Sequence, residues 1–159
     1  MQKGIVYILT NPSMPDWVKI GFTDGEAVQD RLKSLNSSSA IPLAFRVYAT
    51  LAVENPREVE RSIHTTIDAI DPDLRSIDRR ENRRDRVREF FQISPERAYA
   101  VLKEFAKSCR CEEHLVMAVP SSEEQREDEF ARSSRVNTSF SRLEIPVGSE
   151  LTFFKEDSV

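Results

Sequence analysis

Cysteine is scarce in this sequence, and long apolar runs are absent from it. The two cysteines among 159 residues, Cys109 and Cys111, are separated by one residue, which is too close to cross-link a fold usefully. The sequence therefore predicts no dependence on disulfide bonds and fits a reducing compartment. No apolar run approaches the ~20 residues that cross a bilayer, and the amino terminus lacks the charged-then-apolar layout of a secretory signal. We expect a cytoplasmic protein that makes no membrane contact.

Histidine is as scarce as cysteine, with two residues in the chain. His114 follows the cysteines in the order Cys-x-Cys-x-x-His, which could form part of a zinc site. Zinc sites normally take four ligands, and the only other histidine is His64. The pattern favours two ordinary cysteines near a helix end over a metal centre.

The net charge of −4 is distributed unevenly along the chain. Residues 1–110 contain 18 Lys and Arg against 16 Asp and Glu, whereas residues 111–159 contain 5 against 11. The segment 75–89 holds seven arginines and four acidic residues, a composition that can contact phosphates without reading a base sequence. The alternative is a solvated surface loop held by salt bridges. We favour phosphate contact, with the candidate residues Arg79, Arg80, Arg83, Arg84 and Arg86.

Two short segments near the amino terminus, 4–9 and 18–23, are rich in β-branched and aromatic residues. The prolines and Asx residues between them cannot extend a strand pairing, so the two segments are predicted to form a β-hairpin. Alternate residues of a strand share a face. If Val6 packs inward with the apolar side chains of the second segment, Tyr7 and Lys19 lie together on the opposite face.

Capping signals and apolar periodicity predict the remaining elements. Thr23-x-x-Glu26 has the form of a capping box, and Asn55 before Pro56 is typical of a helix start. Together with the hairpin, these elements predict an α/β (α+β) domain in which helices flank a small sheet of three to four strands, mixed or antiparallel. The predicted helices cover about 26–36, 56–70 and 95–108, and the predicted strands cover 43–53 and 87–93.

Three polar residues lie at the edges of apolar helix stripes. Arg31 flanks the stripe of the first helix, where an arginine either extends along the core edge or points into a cleft. Glu60 and His64 are one turn apart in the second helix, a spacing that is also typical of an ordinary surface pair. The predicted core stripe of the first helix contains Val28, Leu32 and Leu35, and that of the second contains Val59, Ile63, Ile67 and Ile70.

Four features occur in a single order along residues 4–93: Gly4 to Tyr7, Lys19-Ile20-Gly21, Arg31 and Glu60-x-x-x-His64. This pattern resembles the GIY-YIG nuclease superfamily, whose two half-motifs lie on adjacent strands. A lysine stands where the second half-motif usually has an aromatic residue, which is similar to a phage and bacterial subgroup of the superfamily.

The resemblance implies a metal-dependent DNA endonuclease. Tyr7 would take a proton from the attacking water, Arg31 would brace the scissile phosphate, and Glu60 would hold Mg²⁺ or Mn²⁺. A free tyrosine has a pKa of ~10, so it needs help to act as a base at neutral pH. The positive charge of Lys19 close by would favour the phenolate form of Tyr7. A DNA-binding module that grips the phosphate backbone without cleaving it would need the same contacts.

Two further residues are candidates on the same resemblance. His64 is an alternative base or phosphate ligand. Glu89, in a Glu-aromatic-Phe sequence similar to one in the subgroup, is a second candidate acid.

The carboxyl-terminal third breaks this pattern. Residues 1–110 are predicted to form the nuclease-like domain, and residues 111–139 are acidic and polar, which predicts a flexible linker. Residues 140–159 resemble the first strand of the RAMA module, which is thought to read modified DNA. They are too few to bury a core, so we expect the rest of such a domain to be absent from this chain.

Overall fold

The computed structural model describes residues 3–78, 86–130 and 133 of the chain, which divides into one unit over residues 1–119 and another from residue 120. The first unit contains an antiparallel sheet. The predicted α+β class is confirmed, although the sheet has six strands where three to four were predicted. The strands are β1 (Lys3–Thr10), β2 (Val18–Thr23), β3 (Arg46–Glu54), β4 (Arg75–Asp78), β5 (Arg86–Phe91) and β6 (Leu115–Met117).

The strand order is β4-β5-β2-β1-β3-β6, which places the first hairpin strand inside the sheet. β1 pairs with β2 on one side, with Tyr7 opposite Gly21 and Leu9 opposite Lys19, and with β3 on the other side. The predicted hairpin and the pairing of the third strand are therefore confirmed. β4 and β6 were not predicted, and β6 extends the sheet beyond the predicted boundary at residue 110.

Three α-helices accompany the sheet: α1 (Gln29–Asn36), α2 (Pro56–Ile70) and α3 (Pro95–Ser108). The second and third have the predicted bounds. α1 begins later than predicted, because the Thr23 hydroxyl accepts a hydrogen bond from the Gly25 N–H at 3.2 Å and forms a local turn. Short 3₁₀ turns occur at Pro72–Leu74 and Glu112–His114.

The first face of the sheet, which includes Val6 and Ile8, carries the larger apolar core. Side chains from β1, β2 and β3 pack here against α2 and α3. Ile63 and Ile67 of α2 are buried as predicted, but Ile70 is 73% exposed, so its assignment to the core stripe was wrong. The helix ends at Ile70, where it no longer covers the sheet.

The second face, which includes Tyr7 and Leu9, carries a smaller core. Val28 and Phe45 complete its buried part, and Leu32 and Leu35 of α1 pack against it. The prediction that Tyr7 lies opposite the Val6 face is confirmed. Tyr7 does not emerge into solvent, however, because α1 and the segment before β3 cover this face and leave Tyr7 with 0% exposure.

The second unit contains a helix over residues 122–130 in a segment that was predicted to be a linker. A reciprocal capping box begins it: the Glu124 N–H donates to the Ser121 hydroxyl at 3.2 Å, and the Ser121 N–H donates to the Glu124 carboxylate at 2.7 Å. The fragment at 140–159 lies outside the described residues. In the part of the chain that is described, no helix has the length and apolar character to cross a membrane.

Candidate active site

Two glycines set the spacing around the hairpin. A Cβ on Gly4 would lie 2.3 Å from the Thr23 carbonyl oxygen and 2.6 Å from Pro56 Cγ, so only glycine lets β1 pass between β2 and the first turn of α2. A Cβ on Gly21 would lie 2.8 Å from the Tyr7 hydroxyl oxygen. The Tyr7 ring therefore lies across Gly21 of the neighbouring strand and occupies the space that a larger residue would fill.

Arg31 is the cationic partner of Tyr7. Its Nε donates a long hydrogen bond of 3.4 Å to the Tyr7 hydroxyl oxygen. Burial raises the pKa of Tyr7 above its ordinary value, and Arg31 offsets part of that rise. α1 thus brings the Arg31 guanidinium against the Tyr7 hydroxyl, although the residue as a whole is exposed.

Lys19 does not serve as the cation beside Tyr7. Its side chain is buried, its Nζ forms an ion pair with the Glu89 carboxylate, and it lies 5.3 Å from the centroid of the Phe90 ring. The sequence predicted that Lys19 would favour the phenolate of Tyr7; in the structure the ammonium group is paired with Glu89 of β5, and Arg31 is the cation that contacts the phenol.

Glu60 is a buried carboxylate on α2. Burial, followed by the negative charge of Glu89, raises its pKa to about 7. The positive charges of Arg75, Lys19 and Arg61 act in the opposite direction. A carboxyl group in this environment changes its charge near neutral pH, which is typical of functional sites.

His64 is buried beside Glu60, with 3.5 Å between its Nε2 and Glu60 Oε1. Its Nε2 also lies 2.9 Å from the Ile20 carbonyl oxygen in β2, and its Nδ1 lies 2.9 Å from a terminal nitrogen of Arg75. Burial lowers its pKa, so the neutral imidazole is favoured. Both ring nitrogens have protein partners, whereas an unassisted base needs a free one.

The charges of the site residues also act on one another at longer range, between helices and strands. The charges of Glu60 and Glu89 both raise the pKa of Tyr7, and Glu89 also acts on Arg31 and His64. Direct contacts join Tyr7 to Arg31, Lys19 to Glu89, and Glu60 to His64. The candidate residues therefore form three contacting pairs. Glu89 belongs to one pair, and its negative charge affects the pKa of at least one residue in each of the other two.

Several candidates are left without structural support. Arg79, Arg80, Arg83 and Arg84 lie outside the described residues, as does the side chain of Arg86. Within the described ranges, no group of three or more His, Cys, Asp and Glu side chains could hold a metal ion. Cys111 is buried at the end of α3, with its Sγ 3.7 Å from the Ala106 carbonyl oxygen, whereas Cys109 is exposed.

Sequence reasoning missed Arg75 and Asp68. Arg75 donates to the Asp68 carboxylate at 2.7 Å and also contacts His64. Asp68 lies one turn beyond His64 on α2, so the spacing Glu60, His64, Asp68 along one helix edge was a usable signal. Nothing in the sequence indicated that Arg75 would reach them, because that contact depends on where β4 joins the sheet.

No curated protein and no solved structure gave a significant match to this chain. The family comparison did: residues 4–106 match the T5orf172 domain, and this range contains all three contacting pairs of the site. Because the match covers more than half of the sequence, the chain belongs to the T5orf172 domain family, a family of phage-associated nuclease-like domains.

Proposed function

We propose that this protein is a magnesium-dependent DNA endonuclease of the GIY-YIG type, which hydrolyses phosphodiester bonds. The contact between Arg31 and the Tyr7 hydroxyl carries this proposal, because it puts a phosphate-binding cation beside a proton-transfer group. Membership of a nuclease-like family supports the same reaction class.

Arg31 binds the scissile phosphate through guanidinium N–H groups that Tyr7 does not use. Its planar fork suits phosphate oxygens and stabilises the negative charge that develops on them. Tyr7 takes the proton from the attacking water. That role needs the phenolate, which burial opposes and the neighbouring Arg31 charge favours. The reaction should therefore run faster as the pH rises towards the alkaline range.

The carboxylates of Glu60 and Glu89 fit a magnesium ion. Mg²⁺ prefers oxygen ligands, keeps several waters and is commonly held by one or two carboxylates, so a cluster of three acidic residues is unnecessary. A positive ion near Glu60 would stabilise its carboxylate and so offset the burial and the negative charge of Glu89, which raise its pKa. Glu60 would be the principal ligand, and Mn²⁺ could replace Mg²⁺. When bound, the ion would supply charge stabilisation at the leaving oxygen.

A DNA-binding module without cleavage is the second candidate function. The full burial of Tyr7 favours it, because a phenol with no exposed surface must become accessible before it can meet a water molecule beside the substrate. In this function Arg31 and the arginines of residues 79–86 would grip the phosphate backbone without sequence readout.

Plasmid nicking separates the two functions. Purified protein should convert supercoiled plasmid to nicked or linear DNA with Mg²⁺ and should not do so when the ion is chelated. Glu60→Ala should abolish nicking and leave DNA binding largely intact. Glu104→Ala is the matched control, because Glu104 is an exposed glutamate on α3 paired with Lys107. Magnesium-independent DNA binding without nicking by the unaltered protein would favour the binding module.

A further inference from the structure

The tautomer of His64 follows from its two partners. A backbone carbonyl cannot donate a hydrogen bond and a guanidinium cannot accept one. Nε2 must therefore carry the proton that is shared with the Ile20 carbonyl, and Nδ1 must accept from Arg75. His64 is fixed in one tautomer by groups on two different strands.

Arg75 holds the other end of this chain of contacts. One terminal nitrogen donates to the Asp68 carboxylate at 2.7 Å and the other to His64 Nδ1 at 2.9 Å. The guanidinium carbon lies 5.3 Å from the centroid of the Phe91 ring, and the His64 ring centroid lies 5.0 Å from the same centroid. The planar fork of arginine is needed here, because one lysine ammonium would not reproduce both contacts and the stacking.

These contacts join α2, the helix that carries Glu60, to two strands of the sheet. His64 and Asp68 follow Glu60 at successive helical turns of α2, Ile20 belongs to β2, and Arg75 is the first residue of β4. α2 is thus tied to two strands along the helix edge that carries Glu60. One Asp68 oxygen, Oδ1, is buried without a partner in the described part of the chain, so Arg75 is the main compensation for this carboxylate.

We propose that Arg75 is a positioning residue, which acts through His64 and Asp68 to hold Glu60 in the orientation that binds a divalent cation. His64 is then a structural link rather than the base. This inference rests on the proposed function for its metal ion, but the contacts themselves do not depend on catalysis. Residues that orient metal ligands typically contribute about 10- to 100-fold in metal affinity.

Arg75→Gln tests the inference beside Arg61→Gln. Both arginines act on Glu60 through their positive charge, but only Arg75 has a described contact with His64. In the apo protein without DNA, Arg75→Gln should weaken Mn²⁺ binding by about 10- to 100-fold. Arg61→Gln should change it by less than about fivefold, as expected for an exposed charge. Arg75→Lys keeps the positive charge but has a single donor nitrogen in place of the two that Arg75 uses, so it should restore only part of the Mn²⁺ affinity.

Two further measurements distinguish positioning from general damage. Long-range ¹H–¹⁵N NMR of the unaltered protein should show His64 protonated at Nε2. In nicking assays, Arg75→Gln should raise the half-saturating Mg²⁺ concentration by the same 10- to 100-fold as the Mn²⁺ constant, while the rate at saturating Mg²⁺ changes by less than about threefold.

The inference is overturned if His64 is protonated at Nδ1, if the two glutamine variants bind Mn²⁺ equally, or if the unaltered protein binds no Mn²⁺. Its failure differs from failure of the proposed function. A protein that nicks DNA with equal glutamine variants refutes only the positioning role. A protein that never nicks DNA, but binds Mn²⁺ more weakly after Arg75→Gln, refutes only the nuclease.

Discussion

The two faces of the sheet differ in how they use burial. On the first face, side chains of four strands and two helices form an almost wholly apolar core. On the second face, the smaller core includes the phenol of Tyr7, and Lys19 is buried near its edge. Burial on the first face stabilises the fold and shifts the pKa values of Glu60 and His64 at its margin. On the second face it raises the pKa of Tyr7, which lies within the core itself.

Removing a single hydroxyl from each face gives the largest expected contrast. Tyr7→Phe should lower the nicking rate by about 10³-fold, equivalent to about 4 kcal/mol, because a proton-transfer group contributes about 10²- to 10⁴-fold. Tyr48→Phe, which alters a half-buried tyrosine of the first face, should leave the rate unchanged. Single-turnover plasmid assays measure both. Equal rates for the two variants would remove Tyr7 from the reaction.

Truncating one leucine on each face compares their contributions to stability. Leu51→Ala should lower the free energy of unfolding by about 2 to 5 kcal/mol, because Leu51 is fully buried in the larger core. Leu32→Ala should cost about 1 kcal/mol, since Leu32 is only half-buried against the smaller core. Urea unfolding followed by circular dichroism gives both values. A larger loss for Leu32 would reverse the ranking of the faces.

Glu60→Gln should make the protein more stable at alkaline pH. The pKa of Glu60 rises from 4.5 to about 7 on folding, so the folded state holds a proton that the unfolded state releases within this window. The contribution of this carboxyl group to the free energy of unfolding is fully present below pH 4.5 and is lost as the pH rises towards 7. Because glutamine cannot ionise, the variant avoids this loss. It should exceed the unaltered protein in free energy of unfolding by about 2 to 3 kcal/mol at pH 8 and by little at pH 4.

Thermal unfolding in metal-free buffer at the two pH values tests this prediction. Glu104→Gln provides the control, because Glu104 is exposed on α3. A stabilisation by Glu60→Gln that is equal at both pH values would mean that the charge of Glu60 is not its cause.

The smallest expected effect concerns the packing of Tyr7 on Gly21. Gly21→Ala adds a methyl group 2.8 Å from the Tyr7 hydroxyl oxygen, so the ring must move and its geometry to Arg31 must change. We expect the nicking rate to fall about tenfold, since a misplacement of about 1 Å can cost up to 10²-fold. Gly25→Ala is the control, because its nearest contact of 3.4 Å is ordinary. Equal nicking rates for the two variants would show that the Tyr7 position tolerates this shift.

Local signals in the sequence predicted much of the fold. The alternation around Tyr7 gave the two sheet faces, and Asn55 with Pro56 gave the start of α2, although Asn55 lies in the left-handed region with φ of 52° and uses its carbonyl rather than its side chain as the cap. β4 and β6 were missed because they contain four and three residues, too few for a periodic pattern.

The site was less predictable than the fold, because its partners come from distant segments. Tyr7, Lys19, Arg31, Glu60 and His64 were named from motif order, which does not specify pairing. The sequence placed Lys19 beside Tyr7, but it could not reveal that Glu89 of β5 would neutralise the ammonium. Nor could it show the burial of Tyr7, which depends on how α1 covers the second face.

The strand order has a consequence for how the molecule assembles. Tyr7 and Arg31 are 24 residues apart in sequence, whereas Lys19 and Glu89 are 70 apart, because β5 joins the sheet beside β2 long after β1, β2 and β3 are complete. Closing the longer loop costs more chain entropy, and non-local pairing is slow. We expect pulse-labelled amide exchange during refolding to protect β1 before β5. A growing chain on the ribosome would then hold Tyr7 and Arg31 in place before the carboxylate of Glu89 arrives, so the proposed site would stay incomplete until synthesis has passed residue 89.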